Sequence, residues 1–173
     1  MAISNKFGDM LISTGNKSEI SVGYTTIYGD MNGGYNPIKD IYKTEVYELS
    51  KWRNSSKASN CLGPSGEVIP FSIIEKEPTA ELREDQKDQD SLPPYDKLDD
   101  ILESLIDYEM SISEIVKRGH DKSLVKKIEN LLYISEYKRR QSAPGVKVSQ
   151  KNFGRDRRYP ITNLFRDKNW QKI

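Results

Sequence analysis

The sequence is poor in the residues that carry redox and metal chemistry. Its 173 residues include one cysteine, Cys61, and one histidine, His120. A lone cysteine excludes an internal disulfide, which favours a cytoplasmic location, and no Cys/His cluster of zinc-binding spacing exists. Cys61 lies in a polar loop without a neighbouring base, so we interpret it as inert. His120 follows Gly119 at a predicted helix break, which is typical of a cap or surface residue.

The sequence also lacks long hydrophobic runs and an excess of charge of either sign. No apolar run is long enough to cross a bilayer, and 27 basic residues against 26 acidic ones leave a net charge of +1. This balance argues against a general polyanion binder, although Arg139, Arg140 and the basic cluster at 155–158 leave nucleic-acid binding as a remote alternative. We therefore expect neither a membrane nor a nucleic acid as a partner.

The general nucleotide-binding fingerprints are absent as well. A Walker A loop requires glycine immediately before Lys-Ser, and here Asn16 stands between Gly15 and Lys17. There is no G-x-G-x-x-G either, so spacing alone gives only a weak indication of ATP binding.

The strongest local signals that are present lie within residues 11–43. The apolar run at 10–12 predicts a buried parallel strand. Asn16 followed by Glu19 predicts a helix start with a capping box, and a strand that ends at a helix start suits a phosphate. Asn36-Pro37 predicts a second helix start.

The rest of the chain reads as a series of helices joined by loops. Residues 37–52 predict a helix, 53–67 a loop, and 68–74 a short or edge strand because Pro70 lies inside it. The polar segment at about 80–92 predicts a mobile surface loop. Helical spacing or capping signals predict three further helices, at 95–108, at 111–119 and from Asp121 to about Arg140.

Several long words of the sequence resemble one known family. STGNKSE, GYTTIYGDMNGGYNPIKDIYKTEVY, PTAELREDQKDQDSLPPYD, EYKRRQ and FGRDRRYPITN are similar to the synthetase domain of the glutamine-dependent NAD synthetases. The resemblance covers nearly all of residues 1–173. It implies an α/β fold of the Rossmann-like, adenine-nucleotide alpha-hydrolase type, with a parallel sheet and helices. Because the match begins in mid-domain, we expect a C-terminal portion whose fold is incomplete at the N-terminal side; a small complete fold with a frayed start is the alternative.

The resemblance assigns three residues to ATP. Thr14 contacts ATP, Lys43 binds its phosphate, and Thr79 is a further nucleotide contact. From the residues alone, Thr14 could be a turn hydroxyl that bonds its own backbone, and Lys43 a solvated helix lysine.

The resemblance assigns six residues to the second substrate, deamido-NAD. These are Glu19, Tyr24, Thr25, Thr26, Ile27 and Lys138. Glu19 is also the implied magnesium ligand; from the residues alone, a capping carboxylate is its more common role, and the two roles are compatible. Residues 24–27 could be ordinary packing, and the basic turn at 138–140 could simply complement a helix dipole.

The implied activity is that of a glutamine-hydrolysing C–N ligase. ATP, with Mg²⁺, activates the carboxylate of deamido-NAD as an adenylate, and ammonia from glutamine then displaces AMP to give NAD. The family's S-G-G-x-D-S loop and its magnesium-binding aspartate are not in this sequence, so we expect little or no turnover by this chain alone.

A non-catalytic alternative remains open. The chain could be an inactive fragment, or the partner chain of a split synthetase that retains only nucleotide binding. Either a missing N-terminal half or a second copy is an expected partner, and Tyr28, Tyr35 and Trp52 are candidates for exposed apolar contacts.

Overall fold

The computed structural model describes residues 1–56, 60, 62–79, 88 and 91–163. Its helices are α1 (Ala2–Phe7), α2 (Lys17–Val22), α3 (Lys43–Ser55), α4 (Phe71–Glu75), α5 (Tyr95–Ile106), α6 (Ile112–Lys117), α7 (Lys122–Ile134) and α8 (Glu136–Gln141). Within the described ranges, every helix is too short or too polar to cross a membrane. The predicted mobile loop at 80–92 lies outside the described residues except for Asp88, Ser91 and Leu92.

The core forms around α5, which packs against α2, α3 and α7. The predicted helix at 95–108 is confirmed, because its apolar residues repeat at helical spacing and turn toward the centre. Fully buried apolar side chains come from three helices: Leu98, Ile101, Leu102, Ile106, Ile115, Val125, Ile128 and Leu132. α6 begins with the predicted capping box between Ser111 and Glu114, and Asp121 caps α7 as predicted.

The predicted buried strand at 10–12 is wrong for this structure. Met10 and Ile12 are 67% and 46% exposed, and one isolated parallel bridge joins Ile12 to Tyr35. Ser13 N–H donates to the carbonyl of Tyr35 at 2.8 Å, so the segment is extended. An apolar run becomes buried only where other elements cover both faces, and the described residues do not cover this one.

Three other predicted boundaries are corrected. The helix predicted from Pro37 begins at Lys43, because the side chain of Asn36 turns inward to donate to the Gly15 carbonyl at 2.7 Å and residues 37–40 form a turn. The edge strand predicted at 68–74 is the short helix α4, which starts directly after Pro70. Proline fixes its own φ near the helical value, which suits a helix start.

The helix predicted from Asp121 to about Arg140 is divided in two at Ser135. The guanidinium of Arg139 is buried and donates to the carbonyl of Leu132 at the end of α7 and to that of Ser21 in α2. Because the Leu132 carbonyl accepts from this side chain, α7 can end at Ile134 and α8 begins as a separate helix.

A buried charge cluster joins four separate parts of the chain. Lys17 is fully buried, and its Nζ lies 3.1 Å from Asp107 at the end of α5 and 3.4 Å from Asp40. The same ammonium donates to Ser149 Oγ at 2.6 Å. Tyr42 donates its hydroxyl to Asp107 at 2.8 Å, and burial, with the nearby Asp107 charge, raises the pKa of Tyr42. The cluster fixes the start of α2 against α5 and against the segment after α8.

We expect Lys17→Met to lower the free energy of unfolding by about 3–5 kcal/mol, because it leaves Asp40 and Asp107 buried without their cation. The matched control is Lys97→Met on an exposed position, which should change stability by less than about 0.5 kcal/mol. Urea unfolding followed by circular dichroism measures both. Equal losses in the two variants would contradict the assigned role of the cluster.

Candidate functional site

The start of α2 supplies the first wall of the site. Asn16 accepts from the Glu19 backbone N–H at 3.0 Å, and Glu19 Oε2 accepts from Asn16 N–H at 3.2 Å. This is the capping box that the sequence predicts. It turns the Glu19 carboxylate toward the start of α3, where Lys43 Nζ lies 3.0 Å from Glu19 Oε1.

Asp99 on α5 brings the starts of α2 and α3 together. Its carboxylate accepts from Ser18 Oγ at 2.5 Å and from both the backbone N–H and the hydroxyl of Thr44 at 2.9 Å. Ser18 Oγ in turn accepts from Lys43 N–H at 2.9 Å. Burial raises the pKa of Asp99, and the hydrogen bonds from Ser18 and Thr44 oppose that shift. Asp99 therefore sets the position of Lys43 beside Glu19.

Sequence reasoning missed Asp99. The sequence does contain a signal for it: an acidic residue between Leu98 and Ile101 on the apolar stripe of a helix. Because a charged group is rarely buried without partners, such a position indicates that other groups bind the carboxylate.

The opposite wall is the turn that follows α2. Gly23 ends α2 in the left-handed region at φ 70°. Lys138 of α8 donates to the carbonyls of Gly23 at 2.7 Å and Thr25 at 2.8 Å. Thr26 N–H donates to Asp30 Oδ2 at 3.0 Å. A distant helix therefore holds the turn against the start of α2.

These walls enclose a cavity of about 650 Å³. Eight of the nine site residues predicted from the sequence line it: Thr14, Glu19, Tyr24, Thr25, Thr26, Lys43, Thr79 and Lys138. Ile27 is half-buried in the same turn but is not a lining residue. Asp30 and Asp88 also line the cavity, and sequence reasoning did not single them out.

A second cavity of about 340 Å³ adjoins the first. Its walls come from α3, α4 and the segment 76–79, and several are apolar: Val46, Tyr47, Ile69, Ile73, Ile74 and Pro78. Glu19, Lys43, Thr79 and Asp88 line both cavities. These four residues therefore form the junction between a polar compartment and a more apolar one.

The histidine and the predicted apolar contacts lie elsewhere. His120 Nε2 contacts the carboxylate of Asp100, away from the cavity, and Cys61 is outside the described residues. Tyr28 is 90% exposed and Trp52 is 47% exposed, while Tyr35 is half-buried.

Comparison with known proteins shows the family of this chain. A family model described as NAD synthase matches residues 1–142. A glutamine-dependent NAD(+) synthetase of Rhodobacter capsulatus is 60% identical over 167 residues, which cover 96% of this chain and 30% of that protein. One of Xylella fastidiosa strain Temecula1 is 54% identical and covers 96% and 29%. The chain thus spans about 30% of the length of these curated relatives.

Solved structures show the same likeness in three dimensions. A glutamine-dependent NAD(+) synthetase from Cytophaga hutchinsonii has a TM-score of 0.67 at 25% identity, covering 92% of this chain and 25% of that one. An NMN synthetase from Francisella tularensis has a TM-score of 0.57 at 25% identity, covering 79% and 47%. The likeness gives this chain the Rossmann-like nucleotide-binding fold of these proteins. The chain belongs to the NAD synthase family.

We expect Gly23→Ala to destabilise the wall that holds Thr25. A Cβ at this position would overlap the hydroxyl of Ser135, in addition to the cost of a left-handed φ, about 1–2 kcal/mol. Gly66→Ala is the matched control, because φ is 80° there and no atom lies within 4 Å of the added Cβ. Gly23→Ala should lose at least about 1 kcal/mol more than the control in urea unfolding; equal losses would show that the turn yields freely.

Proposed function

We propose that the chain forms part of the synthetase site that converts deamido-NAD to NAD at the expense of ATP. The observation behind this proposal is that residues up to 124 positions apart in the sequence line one cavity. These residues are Thr14, Glu19, Lys43, Thr79 and Lys138. Membership of the NAD synthase family supports the reaction. In the same proposal, the longer relatives complete the site with residues that lie outside the part matched by this chain.

Lys43 is the phosphate-binding residue in this proposal. Its ammonium pairs with Glu19 at 3.0 Å and lies 5.5 Å from the centre of the Tyr95 ring. A phosphate entering the cavity competes with Glu19 for this cation, and a flexible point charge can follow it. Thr14 and Thr79 offer hydroxyl groups to the same ATP molecule.

Lys138 and the turn at 24–27 bind deamido-NAD in this proposal. An ammonium has three N–H donors, and Lys138 uses two on the carbonyls of Gly23 and Thr25. The third is left for a substrate oxygen. Ile27 would act through the shape of the turn, since it does not line the cavity.

Magnesium fits the site only in part. No group of three or more His, Cys, Asp or Glu residues suited to a metal occurs within the described ranges, and Glu19 already accepts from Lys43 and from Asn16 N–H. Mg²⁺ commonly takes one or two carboxylates together with substrate phosphates, and Glu19 would be such a carboxylate. The ion would neutralise charge on the phosphates.

The proposed reaction has two steps. A carboxylate oxygen of deamido-NAD attacks the α-phosphate of ATP, forming an acyl–adenylate and releasing pyrophosphate. The lone pair of ammonia then attacks the acyl carbon, AMP leaves with the bonding electrons, and the nitrogen loses a proton to give the amide. Both steps depend on holding the two nucleotides in fixed positions relative to each other, which is the contribution of a preformed cavity.

We also propose that the extended segments joined by the Ile12–Tyr35 bridge are adjacent strands of the family's parallel sheet.

We expect the chain to bind ATP, and Lys43→Ala to weaken that binding at least tenfold (about 1.4 kcal/mol), because the phosphates lose their cation. Isothermal titration with ATP measures the affinity. Lys97→Ala, on an exposed position, is the matched control and should bind as the wild type does. An Lys43→Ala variant with unchanged affinity would remove Lys43 from the site, and a wild-type chain that binds no ATP would overturn the proposal.

A further inference from the structure

The segment that follows α8 covers the guanidinium of Arg139 with two aromatic rings. Arg139 Cζ lies 4.7 Å from the centre of the Phe153 ring and 5.3 Å from that of the Tyr159 ring. All three residues are buried, with 6%, 7% and 4% of their surfaces exposed. Ring faces attract a guanidinium, and the attraction is stronger where water is excluded. The two rings therefore hold Arg139 in one position.

The residues between the two rings form a turn that is attached to the chain after α5. Gly154 N–H donates to the carbonyl of Arg157 at 3.0 Å. Arg157 Nε donates to the Tyr159 hydroxyl at 3.0 Å, and Arg157 Nη1 donates to Glu109 Oε1 at 2.7 Å. These bonds fix Tyr159 through partners other than Arg139.

Arg139 in turn sets the direction of Lys138. Their helix, α8, has six residues, too few for a helix that is stable by itself, so its orientation depends on tertiary contacts. Arg139 supplies such contacts by donating to the carbonyl of Ser21 in α2 at 2.8 Å and to that of Leu132 in α7. Adjacent side chains on a helix diverge by about 100°. With Arg139 held on α2 and α7, Lys138 is directed to the turn after α2, where it donates to two carbonyls.

We propose that Phe153 and Tyr159 are positioning residues for the wall of the cavity that binds deamido-NAD, and that they act through Arg139 on Lys138. The inference rests on the proposed function, in which Lys138 and the turn at 24–27 bind this substrate. Neither ring is among the described residues that line the cavity, so the effect of both rings is indirect.

The effect of the rings should be selective for deamido-NAD over ATP. Lys43, the phosphate-binding residue of the proposed function, is placed by the hydrogen-bond network of Ser18 and Asp99. A general loss of folding would weaken the binding of both nucleotides. Loss of the ring contacts to Arg139 would weaken only the binding of deamido-NAD.

The test replaces each ring by an aliphatic side chain in the full chain. Phe153→Leu and Tyr159→Leu should each weaken deamido-NAD binding about fivefold in isothermal titration, and leave the affinity for ATP within about twofold of the wild type. Tyr159→Phe keeps the ring and should bind both nucleotides normally. Ile115→Val, which removes a methyl group from the buried face of α6, is the matched core variant and should also bind both.

Amide hydrogen exchange tests the same link without a ligand. Tyr24 N–H donates to the Glu19 carbonyl at 2.9 Å, and Met31 N–H donates to the Thr26 carbonyl at 3.2 Å. Both amides should exchange faster in the two leucine variants, relative to an amide within α6, because the turn loses the support of α8. Thermal unfolding of each variant verifies that it is folded at the temperature of the measurements.

Three results would overturn the assignment. Unchanged deamido-NAD affinity, or unchanged exchange of the turn amides, in both leucine variants would remove the positioning role. Equal losses of deamido-NAD and ATP binding would reduce the rings to support of the fold. A wild-type chain that binds neither nucleotide would overturn the proposed function. In that case faster exchange would still support the link from the rings to the turn, and unchanged exchange would overturn it.

Discussion

The buried ammonium of Lys17 is the interaction on which the other parts of the structure depend. It lies between Asp40 and Asp107 and also donates to the carbonyl of Lys151 at 3.1 Å. A buried charge is tolerated only when it is paired and fully hydrogen-bonded, so the three segments that supply its partners must be in place together. The start of α2, the end of α5 and the segment after α8 therefore have one mutual arrangement, and the cavity takes its shape from that arrangement.

A second, smaller hydrogen-bond network links the start of α2 to the site residue Lys43. Asp99 ties Ser18 to Thr44, and Ser18 Oγ accepts from the backbone of Lys43. The backbone of Lys43, the cation that we assign to phosphate, is thus anchored, while its Nζ pairs with Glu19 at 3.0 Å. The network thus holds the starts of α2 and α3 together where the cavity opens.

The sequence predicted local features well and packing poorly. Capping boxes at Asn16 and Ser111 were recognised because donor and acceptor lie three residues apart, within one turn of chain. The prediction of a buried strand at 10–12 was wrong because burial depends on the elements that cover a segment. The end of α7 at Ser135 was not predicted because it depends on Arg139, which donates to carbonyls of α2 and α7. Eight of the nine predicted site residues share a cavity, but family resemblance rather than periodicity had selected them.

The sequence by itself determined the helix starts capped by Asn16, Ser111 and Asp121, the apolar stripe of α5 and membership of the NAD synthase family. These features reside in residues close together along the chain or in long distinctive words. Only the tertiary structure decided which partners the charged side chains find: Lys17 with Asp107, 90 positions apart, Asp99 with Thr44, and Asp88 with Tyr95. Such pairs form after the chain has packed, and burial, which strengthens each charge interaction, is a property of the packed molecule rather than of any residue type.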